Sequence, residues 1–171
     1  SACLLRIVTC TASMPSATIA AMLTAALVRE KALDLGFDLV GVTPLAPGVD
    51  TQPFLDWLAA GHHGDMGYLS RDDAVQKRID PQRVLPGARS AILVAVSYDA
   101  LNVPLQFLSD PSRGRIARYA WGADYHDVLT PVLRDFGDWV SRESRAYVDT
   151  GPVLERAWAE RAGLGFIGKN T

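Results

Sequence analysis

Apolar positions along the chain follow two different spacings. Apolar residues that recur every three or four positions predict helices over residues 17–35, 51–61, 124–144 and 153–162, with a helical turn at 72–76. Short runs rich in β-branched residues predict strands at 37–43, 90–98 and 145–149. The run 90–98 is continuously apolar, which is typical of a central strand buried on both faces. Helices and strands mixed without internal repeats predict a single α+β domain.

Capping residues and prolines mark the ends of these elements. Ser16, Thr51 and Asp124 are suited to N-cap helices because their side-chain oxygens accept hydrogen bonds from free backbone N–H groups. Pro152 suits the first turn of the last helix. Pro131 falls inside the long helix, where proline removes a backbone hydrogen bond, so we expect a bend there.

Two stretches lack a regular period. Residues 61–90 are irregular, and a segment of this length in a compact domain is usually functional or mobile. Its first part, Gly61-His-His-Gly-Asp-Met-Gly-Tyr68, suits either a mobile lid or a plain surface loop. Residues 1–16 hold a short apolar run that Arg6 interrupts, which is weak evidence for a signal peptide. We therefore expect a disordered extension at 1–16 and one domain at 17–171.

Composition places the chain among ordinary globular proteins. Its 171 residues are 49% hydrophobic and 21% charged, which excludes the disordered and low-complexity classes. The net charge of −2 gives no global attraction to nucleic acid, so such a contact needs a local basic patch. No apolar run reaches the roughly 18 residues of a membrane span, and we expect a cytoplasmic protein.

Cysteine and histidine positions argue against a metal site built by this chain. Cys3 and Cys10 are the only cysteines, which excludes a disulfide framework and a cysteine-ligated zinc or iron–sulfur site in the rest of the chain. The three histidines show no metal-ligand spacing. We therefore expect no metal ligands among the residues of the domain.

Asp149 is the first candidate for chemistry. It ends a predicted strand just before a proline-led helix. An aspartate at such a place commonly caps a turn. It can also point at a ligand, and burial against an apolar ligand would keep the carboxyl protonated, as a general acid requires.

Basic and aromatic residues alternate between 113 and 125. Guanidinium groups bind phosphate or carboxylate, and aromatic rings offer stacking surfaces. A solvated basic turn with aromatic residues in the core is the alternative interpretation. The residues are Arg113, Arg115, Arg118, Tyr119, Trp121 and Tyr125.

Two smaller motifs complete the candidates. Lys77, Arg78 and Arg83 form a basic stretch that, by itself, is typical of solvated surface. A glycine-rich segment, 163–170, follows the last helix, so it is not a dinucleotide fingerprint, and Asn170 after Lys169 excludes a P-loop. Its glycines would let the backbone approach a flat ligand closely.

Six motifs occur together in one order. They are Gly64-Asp-Met-Gly-Tyr-Leu69, Lys77-Arg78, Val84-Leu-Pro-Gly-Ala-Arg89, Arg118-Tyr-Ala-Trp-Gly122 with Asp124-Tyr-His126, Val148-Asp-Thr-Gly-Pro-Val-Leu-Glu-Arg156 and Ala159-Glu-Arg-Ala-Gly-Leu-Gly-Phe-Ile-Gly-Lys-Asn170. With these motifs the chain resembles the tRNA epoxyqueuosine reductase family over about residues 20–171.

The resemblance implies an oxidoreductase of queuosine biosynthesis. Such an enzyme reduces epoxyqueuosine to queuosine at the wobble position of a tRNA with a GUN anticodon. It uses cobalamin, two [4Fe-4S] clusters and an external electron donor. The implied fold is the corrinoid-binding, nitroreductase-like α+β domain of the family, in a monomer. Two cysteines cannot ligate two clusters, so we expect the chain to stop before the ferredoxin-like domain and to be inactive alone.

The resemblance also assigns roles to particular residues. Asp149 corresponds to the proton donor, because an epoxide oxygen leaves poorly as an alkoxide. Arg156 and Arg118 correspond to tRNA or substrate contacts. The corrinoid contacts implied are Arg78, Ala117, Tyr119, Tyr125, Asp149, Gly168, Lys169 and Asn170.

Two other functions remain open at the level of the sequence. A corrinoid carrier or chaperone could use the same domain without tRNA chemistry, and Asp149 would then be dispensable. A cofactor-free RNA-binding domain could instead use the arginines of segment 113–118 together with Arg156, and its RNA affinity would fall steeply with salt.

Overall fold

A four-stranded antiparallel sheet forms the centre of the fold. In the computed structural model, the described residues are 3–10 (backbone only), 23–98, 110–141 and 143–168. The strands are β1 (Cys3–Cys10), β2 (Leu39–Pro44), β3 (Ser90–Ser97) and β4 (Ser144–Tyr147). Their order is β2-β3-β1-β4. The continuously apolar strand β3 is an inner strand, as predicted.

Five α-helices accompany the sheet within the described part of the chain. They are α1 (Ala25–Asp34), α2 (Gln52–Ala59), α3 (Asp72–Ile79), α4 (Tyr125–Val140) and α5 (Glu155–Arg161). Short 3-10 turns lie at Gly67–Leu69, Pro81–Arg83 and Arg118–Ala120. The mixture of helices with a small antiparallel sheet confirms the α+β class.

Strand β1 lies where the sequence pattern indicated an extension. We expected residues 1–16 to be disordered, whereas Cys3–Cys10 pairs along its whole length with β3, from Cys3 opposite Ser97 to Cys10 opposite Ser90. Its other edge pairs with β4, with Ile7 opposite Tyr147. The β-branched residues Ile7, Val8 and Thr9 favour this extended conformation, so Arg6 interrupts an apolar run but not a strand.

The starts of two helices lie later than the sequence pattern predicts. Helix α1 begins at Ala25 rather than at residue 17, because Thr24 is extended and its hydroxyl accepts the Leu27 N–H at 3.2 Å, which makes it the N-cap. The expected cap Ser16 lies outside the described residues. Helix α5 begins at Glu155, two residues later than expected, so Pro152 precedes the helix.

The two faces of β3 contribute to two separate clusters of buried residues. Ile92 and Val94 pack with residues of α1 and α4, including Ala32 and Phe136. Ala91 and Leu93 point to the other face, and that cluster includes Trp158 of α5. This alternation follows from the two-residue period of a strand, and it confirms that β3 is buried on both sides.

Helix α4 fixes one end of the sheet and leads into the site. Asp124 is its N-cap and accepts the His126 N–H at 2.8 Å, as the sequence predicted. The helix continues without a break past the exposed Pro131. Leu133 and Phe136 are fully buried in the core, so they anchor α4 on the sheet.

Candidate functional site

Asp149 lies in a strained turn directly after β4. Its φ is +59°, and it is the one non-glycine residue of the described chain in the left-handed region. Aspartate tolerates this conformation better than most residues, but at a cost in free energy. Two residues later Gly151 is buried so tightly that a Cβ there would lie 2.8 Å from the Tyr147 Cβ. The turn is therefore held close against β4.

The Asp149 carboxyl contacts the first residue of α4. The Tyr125 hydroxyl donates a hydrogen bond of 2.6 Å to Asp149 Oδ2. The Tyr125 ring stacks on the ring of His126, with centroids 4.2 Å apart. His126 Nδ1 in turn lies 2.9 Å from Asp124 Oδ1. The backbone N–H of His126, followed by its ring, lowers the pKa of Asp124 below its ordinary value.

Tyr125 also belongs to a row of tyrosines. Tyr119 meets the Tyr125 ring edge-on at 6.1 Å, and Tyr98 meets Tyr119 in the same way at 6.2 Å. Edge-to-face pairs at this separation are favourable. Tyr119 lies in the 3-10 turn Arg118–Ala120, of which Ala117 is the extended, exposed N-cap. The structure thus brings Tyr119, Tyr125 and Asp149 together.

Arg78 lies in a second cluster, at the end of α3. The guanidinium is half-buried over the ring of Phe54, 5.4 Å from the centroid, and its Nη1 donates to the Ala74 carbonyl at 3.1 Å. Burial lowers the pKa of Arg78, while the neighbouring Tyr68 and Glu155 act in the opposite direction. A partly desolvated arginine between three separate segments is unlike the solvated basic stretch that its neighbours suggest.

The neighbours of Arg78 in sequence are surface residues. Lys77 pairs with Asp73 at 3.6 Å, and Arg83 pairs with Asp80 at 3.8 Å, and these four side chains are 40–59% exposed. The structure therefore separates Arg78, which is built into the site, from the other two cations of the motif.

The glycine-rich segment after α5 forms a third cluster. The Ile167 N–H donates to Glu160 Oε1 at 3.2 Å, which ties the segment back to α5. Beneath it is a cavity of about 150 Å³ lined by Arg156, Ala159, Glu160, Leu164, Gly165, Phe166 and Ile167. Gly168 follows directly, while Lys169 and Asn170 lie outside the described residues.

Helix α5 connects the three clusters. Its first residue, Glu155, interacts with Arg78, and its last turn holds the segment that leads to Gly168. The turn from Asp149 leads directly into its N-terminus. Of the predicted tRNA contacts, Arg156 is exposed on α5 and Arg118 is half-buried beside Tyr119.

Sequence reasoning missed three participants: Phe54, Tyr98 and Glu155. Glu155 lies in the motif Val148–Arg156, directly before Arg156. A half-buried guanidinium favours an acidic neighbour, and this was the signal that could have found Glu155. Tyr98 directly follows β3. Its proximity to Tyr119 depends on the tertiary fold and leaves no local signal.

Large apolar side chains are exposed around these clusters. Phe166 is 88% exposed, Ile116 69% and Tyr68 59%. Seven of the thirteen exposed large apolar side chains of the described chain lie in the segments 66–68, 116–121 and 166–167, the others being scattered over the helices and β2. The Asp149 side chain is exposed as well, so the described protein contacts do not bury it. Exposed apolar side chains of this size are available for contact with a ligand or partner.

Two classes of feature are absent from the described ranges. No helix there is long and apolar enough to cross a membrane. No three histidine, cysteine, aspartate or glutamate side chains within those ranges are grouped as metal ligands.

Comparison with known proteins gives one consistent result. Residues 78–150 match the family model described as Epoxyqueuosine reductase QueG, DUF1730, an interval that begins at Arg78 and ends just after Asp149. The chain is 44% identical over 154 residues to the epoxyqueuosine reductase of Gloeobacter violaceus, an alignment that covers 86% of the chain and 46% of that protein.

Two further relatives agree with that match. Identity is 42% over 139 residues to the epoxyqueuosine reductase of Synechocystis sp. (77% of the chain, 46% of that protein). It is 35% over 150 residues to the one from Pseudomonas aeruginosa (84% of the chain, 41% of that protein). The chain thus spans about half the length of the curated relatives it matches. No solved structure matches it significantly.

Proposed function

The chain belongs to the epoxyqueuosine reductase family, and we propose that it forms the corrinoid-binding, acid-donating part of such an enzyme. The enzyme would reduce epoxyqueuosine in the wobble position of a GUN-anticodon tRNA to queuosine. The observation that carries the proposal is the strained turn at Asp149, where Tyr125 fixes the Asp149 carboxyl. The chain continues from this turn to Glu155, the acidic neighbour of Arg78.

The residues of the site suit a bound cobalamin. A corrin is a broad, largely apolar ring with amide groups at its rim, so it needs exposed apolar side chains and a few polar partners. The exposed side chains of segments 66–68, 116–121 and 166–167 supply the apolar surface. The Arg78 guanidinium supplies N–H donors for a rim amide or for the cofactor phosphate. Ala117 and Gly168 have little or no side chain, so they would permit close approach of the backbone.

Asp149 would donate a proton to the epoxide oxygen. Reduction of an epoxide to an alkene breaks two C–O bonds, consumes two electrons and two protons, and releases the oxygen as water. Cobalamin, when bound, supplies electrons at its cobalt. Asp149 would deliver one of the protons as a C–O bond breaks, which avoids a poor alkoxide leaving group.

The remaining partners follow from the same proposal. Arg156 is exposed beside the apolar cavity after α5, where it could bind a tRNA phosphate, and Arg118 lies next to Tyr119. The chain has two cysteines, which are too few to ligate two [4Fe-4S] clusters. An external electron donor would reduce those clusters. We expect a cytoplasmic monomer.

Nucleoside analysis of tRNA tests the proton-donor role. The complete gene product carrying Asp149→Asn is compared with the unaltered protein and with Asp135→Asn, which changes an exposed aspartate on α4. Asp149→Asn is expected to lower the rate of queuosine formation by about 100-fold or more, since general acids contribute that much, while Asp135→Asn leaves it unchanged. Undiminished queuosine formation would refute the role of Asp149. A protein that binds cobalamin but forms no queuosine in any variant would indicate a corrinoid carrier instead.

A further inference from the structure

We infer that Tyr125 is a positioning residue that fixes the direction of the Asp149 carboxyl, and that Asp124 and His126 hold Tyr125 in place. The inference deepens the proposed function and rests on it for the role of Asp149 in proton donation. The hydrogen bond between Tyr125 and Asp149 is a feature of the fold, so it can be tested independently of the proton-donor role.

The Asp149 turn needs an interaction that compensates its strain. A non-glycine residue at φ +59° persists only where the surrounding structure holds it. The Tyr125 hydroxyl reaches Asp149 Oδ2 at 2.6 Å, across 24 positions of sequence and from a different element. This bond joins the turn after β4 to the first turn of α4, which Leu133 and Phe136 anchor in the core.

The Tyr125 ring is itself held on two sides. The His126 ring stacks on it, inclined by 28°, with centroids 4.2 Å apart. Asp124 fixes His126 twice, through the backbone N–H at 2.8 Å and through the ring Nδ1 at 2.9 Å. Tyr119 meets the Tyr125 ring edge-on. The three consecutive residues 124–126 therefore form a helix N-terminus that also orients the phenol.

The geometry has a chemical consequence for a proton donor. A carboxyl group is planar, so a hydrogen bond to Oδ2 also fixes the direction of Oδ1. When Asp149 gives up its proton, the Tyr125 hydroxyl donates to the resulting carboxylate, and hydrogen bonds to charged groups are stronger than neutral ones. Tyr125 would thus favour the transition state of proton transfer and raise kcat, with little effect on substrate binding.

Tyr125→Phe removes the hydroxyl and keeps the ring contacts with Tyr119 and His126. Tyr147→Phe is the matched control, because it removes the hydroxyl of a nearby tyrosine of β4 whose ring supports Gly151. A double-mutant cycle combines Tyr125→Phe with Asp149→Asn and measures urea unfolding of the full chain. The effects on the unfolding equilibrium constant should be non-additive by at least about threefold, whereas Tyr147→Phe and Asp149→Asn should be additive.

Kinetics of the complete gene product separate positioning from folding. Tyr125→Phe is expected to lower kcat about tenfold at unchanged KM, while Tyr147→Phe changes neither by more than about twofold. Additive unfolding effects would overturn the inferred bond, and an unchanged kcat would overturn the positioning role. If Asp149→Asn itself leaves turnover unaffected while the unfolding cycle stays non-additive, the proposed proton donor fails but the bond stands.

Discussion

Gly41 packs so closely against Ala162 that a Cβ at position 41 would lie 2.7 Å from the Ala162 Cβ and 3.0 Å from the Ala162 carbonyl oxygen. The backbone of β2 at Gly41 therefore lies almost in contact with the Ala162 side chain at the end of α5. This contact seats α5 on the sheet, and α5 carries Glu155 and Arg156. The position of two candidate site residues thus depends on a glycine in the middle of β2.

Gly41→Ala should destabilise the fold. The added methyl overlaps Ala162 and cannot be accommodated without moving α5, and overpacking of this kind typically costs about 1–3 kcal/mol. Urea unfolding measures the loss. Gly48→Ala is the control, because nothing lies within 4 Å of a Cβ there and its free energy of unfolding should stay within about 0.5 kcal/mol of the unaltered chain. Equal effects at the two positions would show that the Gly41 contact is not tight.

Acid should remove the contribution of Asp124 to stability. The His126 backbone N–H, and then the His126 ring, lower the pKa of Asp124 in the folded state from its ordinary 3.8. A lowered folded-state pKa adds stability above the unfolded value, and that stability is lost as pH falls through the folded value. The difference in unfolding free energy between the unaltered chain and Asp124→Asn should therefore shrink as pH falls below about 4. A difference that stays constant from pH 7 to pH 2 would contradict the pairing.

Alkaline pH should lower the stability of the fold through Tyr147. Burial raises the pKa of Tyr147 from its ordinary 10.0, and Arg145 opposes the shift only in part. The folded state therefore binds the phenol proton more tightly than the unfolded state, so stability is intact below pH 10 and falls as pH rises above it. Thermal unfolding between pH 8 and pH 11 should show a smaller loss for Tyr147→Phe than for the unaltered chain. Parallel curves would indicate that this hydroxyl is solvated.

The elements that could be predicted have strong local signals. Strand β3 is a continuous apolar run, and Asp124 is followed at once by an apolar stripe, so both the strand and the capped helix α4 were predictable. Strand β1 was not, because its pairing with Ser90–Ser97 and Ser144–Tyr147 spans most of the chain and leaves no local trace. The pattern around Arg6 resembled a weak export signal, and the sheet partners that make it a strand lie far away in sequence.

In the candidate site, too, residues with a local sequence signal were predictable and tertiary contacts were not. Asp149, Tyr125 and Arg78 could each be singled out from motifs. Their partners depend on tertiary contacts: the Tyr125 hydroxyl reaches Asp149 across 24 residues, and Phe54 and Glu155 reach Arg78 from two other helices. The left-handed backbone of Asp149 was also not predictable, because Asp-Thr-Gly-Pro fits several turn types.

Titration of the purified chain with cob(II)alamin, followed by its visible absorbance, tests the central proposal most directly. The unaltered chain should shift the corrin spectrum, and Arg78→Ala should weaken the affinity by about tenfold, or about 1.4 kcal/mol, because the half-buried guanidinium is built into the site. Arg83→Ala, which removes an exposed arginine from the same basic stretch, should bind as the unaltered chain does. An unchanged spectrum at saturating protein, or equal weakening by both substitutions, would contradict a corrinoid site at Arg78.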